Sequence, residues 1–447
     1  MSTFHAIITI AVFAGVILAI AFNMLDITVA ALLGVSILLV MGILTAGDAL
    51  HALETAGGTL ALLFGGMVVA RTLQPTGIFE NVGTRFLILT KGSGKLYLLG
   101  LFVLITPICA FLPNATVVIL VAPIIIRIAA ALKVDYVGPM VLTAIISNSA
   151  GMLTLVGDPA TFLVGSSIGI TFGQYLQRVS LGGVIAILVL VAMTPLVMKD
   201  IWRVKVQLPD DLRVEPLSRP GLAAGALVVL VAMVVMFLIG ERMPTRIVPP
   251  AVAIIAASLA LLVVYGARVE SIEHVIRDVD WKTLIFLACM FFLVEEFTKT
   301  GILQGLSKNL YSWFGSNTLL VALVLLAGVG LASSLLANIP VVAAMLLLTK
   351  GYLVVAEIVG ENALWATFTD WPVSTLPVFV AMMFGATLGG NATLIGASSN
   401  VVAAGICSNH GRPISFVTFM RYGIPFTLCQ LAVSALYVLA LHYVVGH

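Results

Sequence analysis

Amide, hydroxyl and carboxyl side chains cluster at four interruptions within otherwise apolar stretches of this chain. Two interruptions are short, Leu112-Pro113-Asn114-Ala115-Thr116 and Ala337-Asn338-Ile339-Pro340. The other two are rich in glycine, Gly157-Asp158-Pro159 and the stretch 389–400. The side chains at or beside them that could bind a polar solute are Asn114, Thr116, Asn148, Thr154, Asp158, Asn338, Asn391, Thr393, Ser398, Ser399 and Asn400. Amides and hydroxyls suit a neutral solute or a cation, and a partly buried carboxyl can carry a proton.

The composition places these interruptions in a membrane. Of the 447 residues, 61% are apolar and 9% are charged, and the mean hydropathy is +1.17. Soluble proteins carry about 25% charged residues, so the composition excludes a water-soluble enzyme. The apolar runs are continuous rather than alternating, which argues against an outer-membrane barrel. The net charge of +2, without a basic tract, predicts no nucleic-acid partner.

The apolar stretches predict an all-α polytopic protein, since a spanning helix needs about 20 apolar residues. Ordinary spans are predicted at 4–22, 27–45, 58–75, 177–198, 221–240, 248–266, 281–299 and 416–445. The stretches 96–132 and 318–355 are too long for one span and are interrupted near the middle, which predicts two re-entrant hairpins. The stretches 137–168 and 374–407 predict two broken helices. Together these give about ten transmembrane helices plus the two hairpins, with the first segment retained rather than cleaved.

The positive charges orient the chain. The polar connection Lys199–Arg219 is rich in Lys and Arg and is therefore predicted to be cytoplasmic. On this topology the loop around Asp48–Glu54 lies outside, as do both termini. Arg242 and Arg246 fall on the side opposite to that expected.

The chain also repeats itself. Thr76-Gly77-Ile78 recurs as Thr300-Gly301-Ile302 at an offset of 224, and Thr154-Leu155-Val156-Gly157 recurs as Thr393-Leu394-Ile395-Gly396 at an offset of 239, after an insertion. We therefore predict a first repeat at 1–198, a cytoplasmic linker at 199–220 and a second repeat at 221–447, inverted relative to the first. Inverted repeats with discontinuous helices are typical of secondary transporters. No nucleotide-binding motif is present in the sequence, which disfavours an ATP-driven pump within this chain.

The interruptions are predicted to be the solute site, because unwound backbone inside a bilayer needs partners that lipid cannot supply. Other interpretations stay open for each residue. A Ser or Thr can bond back to its own helix, an Asn can cap a helix or link two helices, and Asp158 can be either a proton or ion carrier or a helix N-cap. Glu295 is a second coupling candidate, although it and Arg71 could instead form structural pairs. Lys350 is expected to extend towards the headgroups.

These motifs resemble the ion-transporter superfamily, which includes arsenite/antimonite permeases, the P protein, a class of sodium/proton antiporters and divalent-anion/sodium symporters. The stretch 113–116 resembles a Ser-Asn-Thr hairpin tip with Pro in the Ser place, and the second tip keeps only Asn338. The stretch 154–160 resembles the family's first break, departing after Pro159, and 391–400 is similar to the matching break of the permease and P-protein branch. The resemblance covers most of the chain.

The resemblance implies an elevator mechanism, in which each hairpin and its broken helix move against a scaffold of the other spans, commonly in a homodimer. Carried over to this chain, the residues lining the site are Asn114, Thr116, Gly157, Asp158, Pro159, Asn338, Gly396, Ser398, Ser399 and Asn400. No Arg or Lys sits at a break and Ile339 and Pro340 replace hydroxyls at the second tip, which disfavours a dicarboxylate. We therefore expect proton-coupled efflux of arsenite or antimonite across the inner (plasma) membrane, with no cofactor beyond a proton or sodium gradient. An accessory ATPase is a further partner that this interpretation admits.

Alternatives remain from the same superfamily and from other classes. Within the superfamily they are sodium/proton exchange, with Asp158 as the ion ligand, and sodium-coupled transport of an anion. A channel is disfavoured because the polar residues are confined to the breaks. An intramembrane enzyme or metal site is disfavoured because the six histidines lie near predicted ends or loops and no HExxH motif is present.

Overall fold

The computed structural model describes residues 3–21, 24–207, 214, 216–364 and 368–445, and these residues form helices joined by short connections. The first half contains α1 (Thr3–Ala21), α2 (Ile27–Val40), α3 (Ala46–Leu73), α4 (Ile78–Thr90), α5 (Gly94–Cys109), α6 (Asn114–Ala131), α7 (Val137–Gly151), α8 (Pro159–Ser167), α9 (Phe172–Arg178), α10 (Ser180–Val197) and α11 (Lys199–Trp202). The second half contains α12 (Pro220–Ile239), α13 (Pro249–Ala267), α14 (Ile272–Arg277), α15 (Trp281–Thr298), α16 (Ile302–Phe314), α17 (Thr318–Leu335), α18 (Asn338–Val355), α19 (Leu376–Gly389), α20 (Ser398–Asn409) and α21 (Phe416–Val445).

The all-helical membrane fold predicted from composition is confirmed. Among the described residues, nine helices are long and apolar enough to cross a membrane, and four shorter apolar helices accompany them. The predicted span at 58–75 begins too late, because α3 starts at Ala46. The stretch Asp48–Glu54 is therefore not a loop but the beginning of α3. The Thr45 side chain accepts a hydrogen bond from the Asp48 N–H, and the Asp48 carboxylate accepts one from the Thr45 N–H. This capping box starts the helix earlier than hydropathy indicates.

All four predicted interruptions are present. The hairpin α5–α6 turns at 110–113 and the hairpin α17–α18 turns at 336–337. The broken helices are α7–α8, unwound over 152–158, and α19–α20, unwound over 390–397. Pro113 precedes the first residue of α6 and Pro159 is the first residue of α8, two positions where proline suits a helix start because it has no N–H to donate.

The helix bounds repeat along the chain. Helices α4, α5 and α6 begin 224 residues before α16, α17 and α18, and α7 and α8 begin 239 residues before α19 and α20. Packing repeats as well, since α6 contacts α20 while its equivalent α18 contacts α8. Each broken helix therefore has a segment packed against the hairpin of the other half. The domain boundaries and the inverted orientation of the repeats stay predictions.

Ion pairs tie both ends of α3 to the region around α15. In its last turn, the Arg71 guanidinium donates to both carboxylate oxygens of Glu270, at 3.2 and 3.0 Å, and to Asp278 at 2.9 Å. At the other end, Asp48 lies 2.5 Å from the Lys299 ammonium, which also donates to the buried Glu296 at 2.8 Å. The structural pairing considered for Arg71 is thus confirmed. We call α3 and α15 together the frame.

Candidate substrate site at the two broken helices

Asp158 lies at the centre of a small polar group that we call the acid cluster: Asp158, Thr161, Asn338 and Thr387. Its side chain is buried, with 2% of the residue exposed. One carboxylate oxygen accepts from the Thr161 N–H at 3.2 Å and from the Thr161 and Thr387 hydroxyls at 3.4 Å, and the other accepts from the Asn338 amide at 3.5 Å. The hydroxyl contacts are longer than the roughly 2.5–3.0 Å of a good O–H···O bond. The carboxylate is therefore held loosely and retains capacity for a further donor.

The unwound segment before α8 positions this carboxylate. Asp158 has an extended backbone and caps α8 through the Thr161 N–H, so the N-cap interpretation of its side chain is confirmed. An ionised carboxylate has about four lone-pair sites, so Asp158 can cap the helix and still accept other hydrogen bonds. Asn338 reaches it from the first residue of α18, and Thr387 from α19. The acid cluster thus joins one broken helix to the hairpin and broken helix of the other half.

A second group, the amide cluster, consists of Asn114, Asn148, Ser399 and Asn400. The Asn148 carbonyl oxygen accepts from the Ser399 hydroxyl at 2.7 Å and from the Asn114 amide at 3.4 Å. The Asn148 amide nitrogen donates to Asn400 at 3.3 Å and to Asn391 at 3.1 Å. Asn400 in turn donates to the carbonyls of Gly390 and Thr393, both at 2.8 Å. Both the oxygen and the nitrogen of the Asn148 side chain therefore make hydrogen bonds, and they link α7 to α20.

A further set of hydrogen bonds, next to the amide cluster, joins Asn391, Ser149 and Gln430. Asn391 donates to the Ser149 hydroxyl at 3.1 Å and to Gln430 at 3.0 Å, and Gln430 donates to Ser149 at 2.9 Å. All three side chains are buried. These bonds join both broken helices to α21, so Asn391, predicted as a solute ligand, here holds helices together.

One acceptor in the amide cluster is left over. The Asn114 Oδ1 is buried and accepts no hydrogen bond within the described chain. It borders the acid cluster, since a Cβ built on Gly151 would lie 3.0 Å from Asn114 Oδ1 and 3.0 Å from Asp158 Cβ. The two clusters therefore meet at Gly151, with the unsatisfied Asn114 oxygen and the Cβ of Asp158 both next to this glycine.

Backbone carbonyls converge beside this point. The Thr154 hydroxyl donates to the carbonyl of Ala110 in the first hairpin tip, and Thr393 donates to the carbonyl of Ser334 in the second hairpin. A Cβ on Gly157 would lie 2.6 to 2.9 Å from the carbonyl oxygens of Gly151, Cys109 and Ala110. Only glycine fits there, and the same holds for Gly396, whose Cβ would lie 2.6 Å from the Gly390 oxygen.

Three further predicted ligands and the predicted coupling residue Glu295 also lie outside the two clusters. Ser398 is exposed at the first turn of α20, Thr116 is half-buried in the first turn of α6, and Pro159 serves to start α8. None of the three has a side-chain hydrogen bond to either cluster in the described structure. Glu295 lies 3.2 Å from the His51 ring nitrogen on α3.

A cavity of about 1040 Å³ separates the frame from the hairpin and broken-helix segments. Its lining includes Glu295 and His51 on one side and Phe162, Leu155 and Lys350 on the other. Leu155 and Phe162 flank Asp158 in sequence, but Asp158 itself is buried. The cavity lining thus includes residues close to Asp158 in sequence, and Asp158 is not among the lining residues. The expectation that Lys350 extends to the headgroups is wrong, because only 4% of this residue is exposed.

Comparison with protein families indicates the function to which these two clusters contribute. The family model described as "CitMHS: Citrate transporter" matches residues 16–369, most of the chain. The chain belongs to the CitMHS family. It is a membrane transporter of the ion-transporter superfamily, which confirms the resemblance noted from the break motifs.

Similar proteins agree with this membership. An uncharacterized transporter of Synechocystis sp. is 45% identical, over 97% of both chains. The P protein of Mus musculus is 27% identical over 98% of this chain and 60% of its own length. Among solved structures, the YdaH transporter of Alcanivorax borkumensis aligns with a TM-score of 0.55 at 12% identity, covering 92% of this chain and 89% of that one. This last likeness concerns the fold alone.

Sequence reasoning missed two members of the polar interior. Thr387 completes the acid cluster, but it sits within an apolar helix and resembles any back-bonding threonine. Gln430 belongs to the set of hydrogen bonds next to the amide cluster, and its signal was available, because an amide in the middle of a long apolar span is a candidate for an interhelical bond.

Proposed function

We propose that this CitMHS-family transporter exports arsenite or antimonite by exchange with protons, with Asp158 as the group that alternates between proton and solute. The observations that carry the proposal are the unsatisfied Asn114 Oδ1, which lies with Asp158 beside Gly151, and the long hydrogen bonds of the Asp158 carboxylate. Both groups are acceptors, so they call for a ligand that brings its own donors or a positive charge. Arsenous acid is neutral and has three hydroxyl donors.

The same reasoning argues against a polyanion at this place. Neither cluster contains a Lys or Arg side chain, and a citrate-like trianion next to the Asp158 carboxylate would have no compensating charge. The name of the family model describes citrate transport by the family, and the lack of Lys and Arg in both clusters supports a neutral or cationic solute instead.

Coupling follows from competition for the carboxylate. When the site faces the cytoplasm, a neutral trihydroxide donates to Asp158 and Asn114 and displaces the proton. When it faces outside, protonation of Asp158 removes the acceptor and favours release. The expected elevator movement of the hairpins and broken helices, in a homodimer of the inner membrane, would carry the site between the two faces.

Transport in everted membrane vesicles tests the proposal. We expect pH-gradient-dependent arsenite uptake with the natural chain and none with Asp158→Asn, which keeps the size and removes the exchangeable proton. Asp200→Asn is the matched control, because Asp200 is an exposed carboxylate on α11, outside both clusters. Arsenite uptake that is absent, or that is equal in all three proteins, would contradict the proposal.

Sodium/proton exchange is the second candidate, favoured by the unsatisfied Asn114 Oδ1, which lies with Asp158 beside Gly151. Oxygen ligands of this kind, with a nearby carboxylate, suit a hard cation. In the same vesicles, loaded with a pH-sensitive dye, added sodium would then dissipate the pH gradient without arsenite. Loss of that response in Asp158→Asn, together with no arsenite uptake by the natural chain, would select this function over the first.

A further inference from the structure

Lys350 is a buried cation outside both clusters. It lies on α18, lines the large cavity, and is 4% exposed. Its ammonium sits over the Trp371 ring, 5.5 Å from the ring centroid. No carboxylate of the described chain lies within ion-pair distance of it. A cation–π contact compensates only part of the cost of burying an ammonium, so the charge retains a strong preference for an anion.

Trp371, whose ring lies beneath the Lys350 ammonium, carries a second donor. Its indole Nε1 is buried and has no acceptor in the described structure, and its ring packs edge-on against Phe368 and Phe379, at 5.1 and 5.0 Å between centroids. The ring is thereby fixed next to Lys350. Two unsatisfied donors, one of them charged, match the two oxygens of a carboxylate group.

The second half alone has this pair. At the offset of 224, Lys350 corresponds to Ile126 in the first hairpin, and Trp371 belongs to the insertion that precedes α19. Neither residue is therefore needed to build the repeated hairpin and broken helix. A buried charge that the shared architecture does not require is a candidate for a specific role.

The cavity around Lys350 restricts the ligand further. Its walls near α8 and α18 include Phe162, Ile170 and Leu346, which suit an apolar body. Glu241 and Glu295 line it as well, and they would repel any additional negative charge. A single carboxylate on an apolar body meets both conditions, whereas a di- or tricarboxylate would place its remaining charges in an acidic cavity.

We propose that Lys350 and Trp371 form a binding site for a monocarboxylate with an apolar body, separate from the acid and amide clusters. The carboxylate bridges the Lys350 ammonium and the Trp371 Nε1–H, and the apolar body lies along α8 and α18. Because the cavity lies between the frame and the hairpin and broken-helix segments, the bound acid would contact both. The site does not depend on the proposed export of arsenite.

Calorimetric titration of the full chain in lipid nanodiscs tests this site with hexanoate, acetate, citrate and hexanol as probes. We expect saturable binding of hexanoate, weaker binding of acetate and citrate, and none of hexanol. Lys350→Gln should weaken hexanoate binding by about tenfold or more, as loss of a charge-assisted hydrogen bond does. Trp371→Phe keeps the ring and removes the donor, and should weaken binding by about threefold to tenfold.

Two matched variants separate the site from other effects. Lys308→Gln removes an exposed lysine charge on α16 and should leave hexanoate affinity unchanged, while Lys350→Arg keeps the charge and should retain binding. Asp158→Asn should bind hexanoate normally even where it abolishes transport, so failure of the two proposals can be told apart. Absence of saturable hexanoate binding, equal affinity in Lys350→Gln, or preference for citrate over hexanoate would overturn the proposal.

Discussion

The acid cluster and the amide cluster occupy equivalent places in the two halves of the chain and have become chemically different. The repeat offsets pair Asn338 with Asn114, Thr387 with Asn148, Thr161 with Asn400 and Asp158 with Ala397. In one cluster, long contacts of 3.2 to 3.5 Å surround a carboxylate. In the other, the Ser399 hydroxyl donates to Asn148 at 2.7 Å and Asn400 donates to two backbone carbonyls at 2.8 Å, and the position of the carboxylate is a methyl group. This difference indicates that the acid cluster exchanges ligands, whereas the amide cluster keeps the structure of the site fixed.

Contacts that occur in both halves indicate a structural role rather than a role in binding the solute. Thr154 and Thr393 each bond a carbonyl of the hairpin in their own half, and Gly157 and Gly396 each approach a glycine carbonyl too closely for a side chain. These duplicated contacts hold the unwound segments against the hairpins. The charge of Asp158 is not duplicated, so it is the feature most closely tied to the solute or its coupling ion.

The largest effect expected from this comparison is on transport. Asp158→Ala makes the acid cluster resemble its partner at Ala397, and it should reduce coupled transport to the level of empty vesicles. Because the carboxylate contacts are long, the protein should still reach the membrane and elute as a single species in size-exclusion chromatography. Retained transport in this variant would show that the asymmetry between the halves has no bearing on coupling.

For Asn148, by contrast, the main effect of substitution is expected to be on stability. Asn148→Ala leaves buried partners on Asn114, Ser399 and Asn400 without their bonds, at a cost of about 1–3 kcal/mol for each polar group left unsatisfied. Thermal unfolding in detergent should therefore occur at a clearly lower temperature than in Thr387→Val, the substitution at the equivalent position. Equal melting temperatures would remove the distinction between a holding cluster and an exchanging one.

The smallest effect concerns the duplicated threonines. Thr154→Val and Thr393→Val each remove one hydroxyl bond to a hairpin carbonyl, and each should lower the free energy of unfolding by about 1 kcal/mol. The two losses should agree with each other, and a double variant should lose roughly their sum, because the sites lie in different halves. A loss confined to one of the two variants would contradict a shared structural role.

The interruptions were predictable because they depend on local chemistry. Proline before Asn114, glycine around Asp158 and the Gly389–Gly390 pair all disfavour continuous helix, whatever surrounds them. The equivalence of the halves followed from motif offsets for the same reason. The start of α3 was not predicted, since it is determined by the Thr45 capping box rather than by hydropathy.

The roles of individual polar residues were less accessible to sequence. Asn148 and Asn391 were grouped with Asn114 as ligands, yet the first two are fully bonded and Asn114 alone keeps an open acceptor. That distinction depends on which side chains meet in the fold, and Asn148 and Asn391, for example, meet across 243 residues of sequence. Lys350 was assigned to the headgroups for a similar reason, because its burial arises from Trp371 in a later segment.

The sharing of each cluster between halves has a consequence for biogenesis. Asp158 enters the membrane during synthesis well before the ribosome reaches Asn338 and Thr387, which later donate to it. Until then its carboxylate has only Thr161 from its own segment, so the nascent first half carries an acid that still lacks its donors from the second half. Newly made protein would be vulnerable to quality-control proteolysis at this stage, and completion of translation, rather than insertion of the first helices, would be the step that secures it.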